Sequence, residues 1–167
     1  MAKIISESGM DFIAENSFHI EESGAYRSIR HKGVRSVEFI RIKEDVLLLV
    51  EAKPSFPNPS EPHEDNKERF ESEVNMIYEK FIHSLNLYSS IEVGITKVCY
   101  PMDFVIPEKV SLTFMLVLNN FKDEWCKPIK SELEEMLPSY IKEIWKPRIR
   151  VLTHQDAIEQ GFVVSTE

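Results

Sequence analysis

Glu51-Ala52-Lys53 closes the apolar run Val46–Val50, and a third charged residue of interest, Glu38, stands just upstream on a second apolar stretch. Side chains alternate along a strand, so Glu51 and Lys53 point the same way and share a face with Leu47 and Leu49. If Glu38 joins them, two carboxylates and one ammonium meet at the end of a hydrophobic floor. Paired carboxylates beside apolar neighbours repel one another, and burial sharpens the repulsion. Relief comes from a proton on one acid, from the lysine bridging both, or from a divalent cation. A hard cation such as Mg²⁺ or Mn²⁺ takes one or two carboxylates and leaves its other positions to water and substrate phosphate. It then polarises a phosphoryl oxygen and lowers the pKa of a bound water, the two requirements of phosphodiester hydrolysis. A neighbouring lysine can orient that water or neutralise charge on the phosphate.

Whether Glu38 joins the group depends on register. Val37, Phe39, Ile40 and Ile42 suit one strand, and Val46–Val50 a second strand buried on both faces. With the turn centred on Glu44-Asp45, Lys43 faces Val46, Ile42 faces Leu47, Ile40 faces Leu49 and Glu38 faces Glu51. Directly opposed Cβ atoms then lie about 4.5–5.5 Å apart. An odd-length loop pairs Glu38 with Val50 or Ala52 instead and turns it to the other face. Glu-Asp is not a favoured pair for the tightest hairpin, so a four-residue loop is expected over a two-residue one.

The surrounding elements follow from periodicity and breakers. A short helix is expected around Met10–Glu15, a short strand at Phe18-His19-Ile20, and a helical turn or irregular connector over Ser23–His31 ending at Gly33. Pro54, Pro57, Pro59 and Pro62 carry the chain across a surface loop. A long helix is expected from about Glu64 to Tyr88, with Phe70, Val74, Ile77, Phe81, Leu85 and Tyr88 as its apolar stripe. Glu68, Glu71, Glu73, Glu79 and Lys80 read as its solvated side. Ile95–Tyr100 reads as a short strand and Leu112–Leu118 as a buried one. A helix from about Lys122 toward Lys146 must kink or restart at Pro138. Ile149–Leu152 reads as a final strand, and Thr153 with Asp156 as a capping pair opening a short helix that Gly161 closes. Helical crossovers after the hairpin favour parallel pairing of the later strands. The expected fold class is α/β, a mixed β-sheet (an antiparallel hairpin plus parallel strands) flanked by helices, in a single domain over residues 1–167.

At Glu38 and Glu51-Ala52-Lys53 the chain resembles the PD-(D/E)XK superfamily, the restriction-endonuclease-like nucleases. The family pattern is an acid on one strand, acid-x-lysine on the next strand of the hairpin, then a helix and another strand. The resemblance implies a restriction-endonuclease-like fold and a nuclease activity. It implies that Glu38 and Glu51 are metal ligands with the Ala52 carbonyl as a further one, and that Lys53 assists the attacking water. Glu21 or Glu22, from the element before the hairpin, is the candidate for an additional acid. The chain departs from the pattern in having Glu for the first acid and Val37 where the family has proline. Asp65-Asn66-Lys67 also fits acid-x-lysine, at a loop or helix start.

The bulk numbers constrain the partners. A chain of 167 residues holds one substantial core. Its net charge of −8 excludes a surface that is basic all round. Yet Arg27, Arg30, Lys32, Arg35, Arg41 and Lys43 share the stretch Tyr26–Lys43 with one acid, Glu38. That local excess is a candidate phosphate-attracting patch, with Arg27, Arg30, Lys32 and Arg35 available to hold a DNA or RNA backbone. Cys99 and Cys126 form no zinc or disulfide pattern, and His19, His31, His63, His83 and His154 are scattered, so neither residue type suggests catalysis. The glycines make no phosphate-cradling loop after a strand. The N-terminus has too few consecutive apolar residues for a signal peptide and no run is long enough to span a bilayer, so a cytoplasmic protein is expected. Metal-dependent hydrolysis of a nucleic-acid phosphodiester is the leading expectation. The alternative is an inactive binding module of the same fold, with a protein partner or a second copy of the chain.

Overall fold

A computed structural model describes residues 2–166; Met1 and Glu167 lie outside the described residues. The elements are β1 (Ile4–Glu7), β2 (Met10–Ile13), β3 (Ser17–Phe18), α1 (Gly24–Arg27), β4 (Phe39–Lys43), β5 (Val46–Lys53), α2 (Glu64–Glu92), β6 (Ser111–Leu118), α3 (Cys126–Met136), α4 (Ser139–Ile144), β7 (Arg148–Thr153) and α5 (His154–Glu159). Short 3₁₀ turns occupy Ile20–Glu22, Arg30–Lys32 and Asp123–Trp125. The fold is mixed α/β. β1 and β2 form a two-stranded antiparallel sheet, and the main sheet has five strands in the order β3-β4-β5-β6-β7. β3, β4 and β5 pair antiparallel, whereas β5, β6 and β7 run parallel because α2 and α3 return the chain between them.

β5 lies at the centre of this sheet and is buried on both faces, as its continuous apolar run requires. Leu47 and Leu49 face one core, shared with Val74, Ile77, Phe81 and Leu85 of α2. Leu48, Val50 and Ala52 face a second core with Phe12, Phe39, Met115, Leu152 and Phe162. Each buried Leu, Val, Ile, Met or Phe side chain, taken from water, stabilises the fold by roughly 1.5–3 kcal/mol. Phe81 stacks on Phe114 with ring centroids 4.8 Å apart, fixing α2 over β6.

Some local expectations are corrected, while the restart at Pro138 and the Thr153–Asp156 capping pair are found as expected. Met10–Glu15 is no helix: Met10–Ile13 pairs with Ile4–Glu7 through a turn at Ser8 and Gly9, both at positive φ (53° and 75°). Met10 and Phe12 are buried while Asp11 and Ile13 are less so, the two-residue alternation of a strand. Ile95–Tyr100 forms no strand: it pairs with no strand among the described residues, and Ile95 remains 80% exposed. The strand at Phe18 stops there, and Ile20–Glu22 turns as a 3₁₀ helix instead. The helix expected over Lys122–Lys146 restarts at Pro138 as α3 and α4. Thr153 and Asp156 form a reciprocal capping box at α5.

The β4–β5 turn has two residues rather than four. Lys43 pairs with Val46, and Glu44 itself takes the left-handed conformation at φ 56°. An even-length loop keeps the counted register from Lys43–Val46 through Ile42–Leu47 and Ile40–Leu49 as far as Phe39–Val50, but the expected Glu38–Glu51 pair is not formed, because the ladder stops there.

Candidate acidic and metal-binding site

The ladder between β4 and β5 closes at Phe39–Val50, and the Glu38 N–H still donates to the Val50 carbonyl at 3.0 Å. The approach to Glu38 is pinned from one stripe of α2. The Val37 N–H donates to Ser84 Oγ at 2.9 Å, the Arg35 N–H donates to His83 Nδ1 at 3.0 Å, and the Arg35 guanidinium pairs with Glu79 at 2.7 Å. Positions 79, 80, 83 and 84 share that stripe because neighbours on a helix recur every three to four residues. α2 therefore fixes where the Glu38 carboxyl enters the site.

Glu38 meets acids from the N-terminal segment. Ligand atoms of Glu7, His19, Glu21 and Glu38 all lie within 4.8 Å of one another. β1 supplies Glu7, the residue after β3 supplies His19, and the turn that follows supplies Glu21. His19 Nε2 is 3.6 Å from Glu7 Oε1 and, although buried, has no hydrogen-bond partner among the described residues. Burial pushes the Glu38 carboxyl up to about 10, reinforced by hydrogen bonding to Glu21 and by repulsion from Glu51, Glu21 and Glu7.

Glu51 is fully buried, and Lys80 of α2 reaches it with Nζ 2.6 Å from Oε1. Its Oε2 has no hydrogen-bond partner among the described residues. Burial raises the Glu51 carboxyl to about 7, with the Lys80 ammonium and, less strongly, Lys53 opposing that rise. Lys53 shares this face but lies 3.4 Å from Glu73. Ala52 packs its side chain into the opposite core, so only its backbone can contribute here. Beyond Lys53 opens a groove of about 740 Å³ between the proline-rich loop and the start of α2; Glu61, Asp65, Glu68 and Glu73 on its walls outnumber Lys53 and Arg69.

Sequence reasoning thus placed Glu38, Glu51 and Lys53 in one neighbourhood, with Glu21 as the added acid. Glu22 turns away to pair with Arg27 at the surface. Lys80 is corrected: it is no solvated residue but a mostly buried counter-ion, 15% exposed. Its spacing from Ile77 and Ser84 marks a face that a strand-end acid can reach, which was the available signal. Glu7 and His19 carried none, because only the folded N-terminal hairpin brings them in. Of the proposed backbone-holding cations, Arg27 and Arg35 are taken by Glu22 and Glu79. Arg30 and Lys32 are exposed and in no ion pair among the described residues.

These donors fit a divalent cation. Glu7, Glu21 and Glu38 offer hard carboxylate oxygens and His19 one imidazole, whose buried Nε2 lacks a partner among the described residues; Glu51, with its own unpartnered Oε2, lies outside that group of four. No described helix is long and apolar enough to cross a membrane. The chain matches no protein-family model, and comparison with curated proteins and with solved structures yields no match.

Proposed function

We propose that the protein is a metal-dependent phosphodiesterase of the restriction-endonuclease-like kind, acting on DNA or RNA. The observation that carries this reading is the buried Glu51 carboxylate at the end of β5, with one oxygen unpartnered, next to the proton-holding group of Glu38 and Glu21. The antiparallel hairpin, the long helix and the following parallel strand support the same reading, since they follow the order of the family the motif resembles.

Glu38, Glu51 and Glu21 would hold Mg²⁺ or Mn²⁺, with the Ala52 carbonyl as a backbone ligand. When bound, the ion supplies Lewis-acid polarisation of the phosphoryl oxygen and a more acidic water. Lys53 stands at the mouth beside the groove, where it orients the attacking water or meets the phosphate charge. Lys80 holds the Glu51 carboxylate in one orientation from behind. The apolar floor of Leu47 and Leu49 limits water on the inner side and strengthens each of these charge interactions.

A second reading is favoured by the ion pairs themselves. Lys80 already satisfies one oxygen of Glu51, and Lys53 lies close to Glu73. In that reading the charges are structural and the protein is a binding module for another protein or for its own copy.

The test is cleavage of DNA and RNA with Mg²⁺ or Mn²⁺, comparing wild type with Glu51→Gln and Lys53→Ala. The expected loss is roughly a hundredfold or more for each variant, the range for removing a ligand or a proton-transfer partner. Equal rates in all three proteins would sink the nuclease reading. Calorimetry with Mn²⁺ separates the alternatives: the structural reading requires no binding heat.

A further inference from the structure

The basic stretch found in the sequence is divided by the sheet. Its last two members, Arg41 and Lys43, alternate onto the face of β4 opposite the acidic site, the face of Phe39. Arg148 and Arg150 of the edge strand β7 share that face with Leu152. The ladder lines them up, since Arg41 pairs with Leu48, Leu48 with Thr113, and Thr113 with Arg148. Four cations therefore stand on one side of the sheet.

None of the four is in an ion pair among the described residues. That is unexpected in a chain with 28 acids against 20 Lys and Arg. Lys43, Arg148 and Arg150 line a groove of about 280 Å³, with Glu44 the one acid on its wall. The cations are held in place by neutral groups. Lys43 Nζ lies 4.4 Å from the Phe162 ring centroid and donates to the Gln160 carbonyl at 3.3 Å, while Arg150 lies over the same ring and bonds to the Gln160 side chain. Behind the groove, across Leu48 and Phe162, Arg41 is 6% exposed and its Nη1 has no partner among the described residues; its Nε donates to the Glu15 carbonyl at 3.2 Å.

Like charges held together at a cost, with Glu44 the one acid on the groove wall, mark a place where an anion completes the balance. We infer that the groove between β4, β7 and Phe162 is a binding site for a dianionic phosphate, of the kind carried by a phosphate monoester. Three cations and one acid leave an excess of two positive charges, which a dianion cancels and a single phosphodiester does not. Guanidinium forks match phosphate oxygens in pairs, and Thr113 adds a hydroxyl on the floor. Aromatic stacking of a base is not expected, because Lys43 and Arg150 already cover the Phe162 ring.

The site is independent of the acidic one, so it is tested with chelator present. Inorganic phosphate, methyl phosphate and dimethyl phosphate are titrated at constant ionic strength and followed by amide NMR shifts around Thr113 and Gly161. The expected result is saturable binding of the first two, weakened roughly 10- to 100-fold in Arg150→Gln and in Arg148→Gln, as for loss of a charged hydrogen bond. Lys97→Gln, an exposed change elsewhere, should bind as wild type. Should Arg150→Gln fail to fold, Arg148→Gln, exposed on the edge strand, decides alone. Binding of dimethyl phosphate or of an oligonucleotide as tight as that of methyl phosphate would assign the groove to a polynucleotide backbone and overturn the inference. So would the absence of saturation, or binding that neither arginine change affects.

Discussion

Glu38 holds a proton at neutral pH where no cation neutralises its neighbours, and this has a consequence for stability with a definite sign. Its carboxyl is raised from 4.5 to about 10 and that of Glu51 to about 7, in each case chiefly by burial. Between those limits the folded protein binds more protons than the unfolded chain, so stability must fall as pH rises. The contribution is fully present below pH 4.5 and lost as pH climbs through 7 and toward 10. Thermal melts of metal-free protein should therefore give a Tm that declines steadily from about pH 5 upward, and Glu38→Gln should flatten the slope; a Tm that rises over this range contradicts the assignment. Lys80 makes a second case. Removing it in Lys80→Met strands a buried carboxylate, at a cost of about 3–5 kcal/mol where Glu51 is ionised. Urea unfolding should show that loss at pH 8.5 and much less at pH 5, where Glu51 carries its own proton. Adding Glu51→Gln should recover most of the deficit at pH 8.5.

At the scale of elements, the hairpin β4–β5 is the positioning device. Its two-residue turn places Glu44 in the left-handed region at φ 56°, a conformation that costs an L-residue roughly 1–2 kcal/mol. Glu44→Gly should stabilise the protein by up to about 1 kcal/mol in chemical denaturation, part of the gain being offset by the freer unfolded chain. No change in the midpoint, or a lower one, would mean that the turn is not strained. α2 acts as the second device, because Glu79, Lys80, His83 and Ser84 tie its inner stripe to Arg35, Glu51 and Val37 at once.

At the scale of the molecule, the sheet separates two electrostatic territories. The α2 side of the sheet carries the acid group, and the other side carries four cations in no ion pair among the described residues. A divalent ion at the acid group replaces protons, so its stabilising effect should grow with pH. With Mn²⁺ at a hundred times its dissociation constant the expected gain is about 2.7 kcal/mol. Melts with and without Mn²⁺ at pH 6 and pH 8 check this, and the shift should be larger at pH 8.

The sequence by itself determined which hairpin residues share a face, because alternation makes Leu47, Leu49 and Glu51 point together, while the register depended on the length of the turn. It determined the parallel strands after the hairpin, through the long amphipathic helices that separate them, and the breaks at Pro138 and Gly161. Those signals are local and depend only on backbone geometry. Tertiary structure alone decided that Lys80 is the counter-ion of Glu51, that Glu7 and His19 meet Glu38, and that Arg41 and Lys43 leave their sequence neighbours for Arg148 and Arg150. Each of these is a meeting of residues far apart in the chain, settled by which faces of helix and sheet pack together. A charged residue on a helix reads as solvated until the strand it covers presents a buried acid of opposite sign.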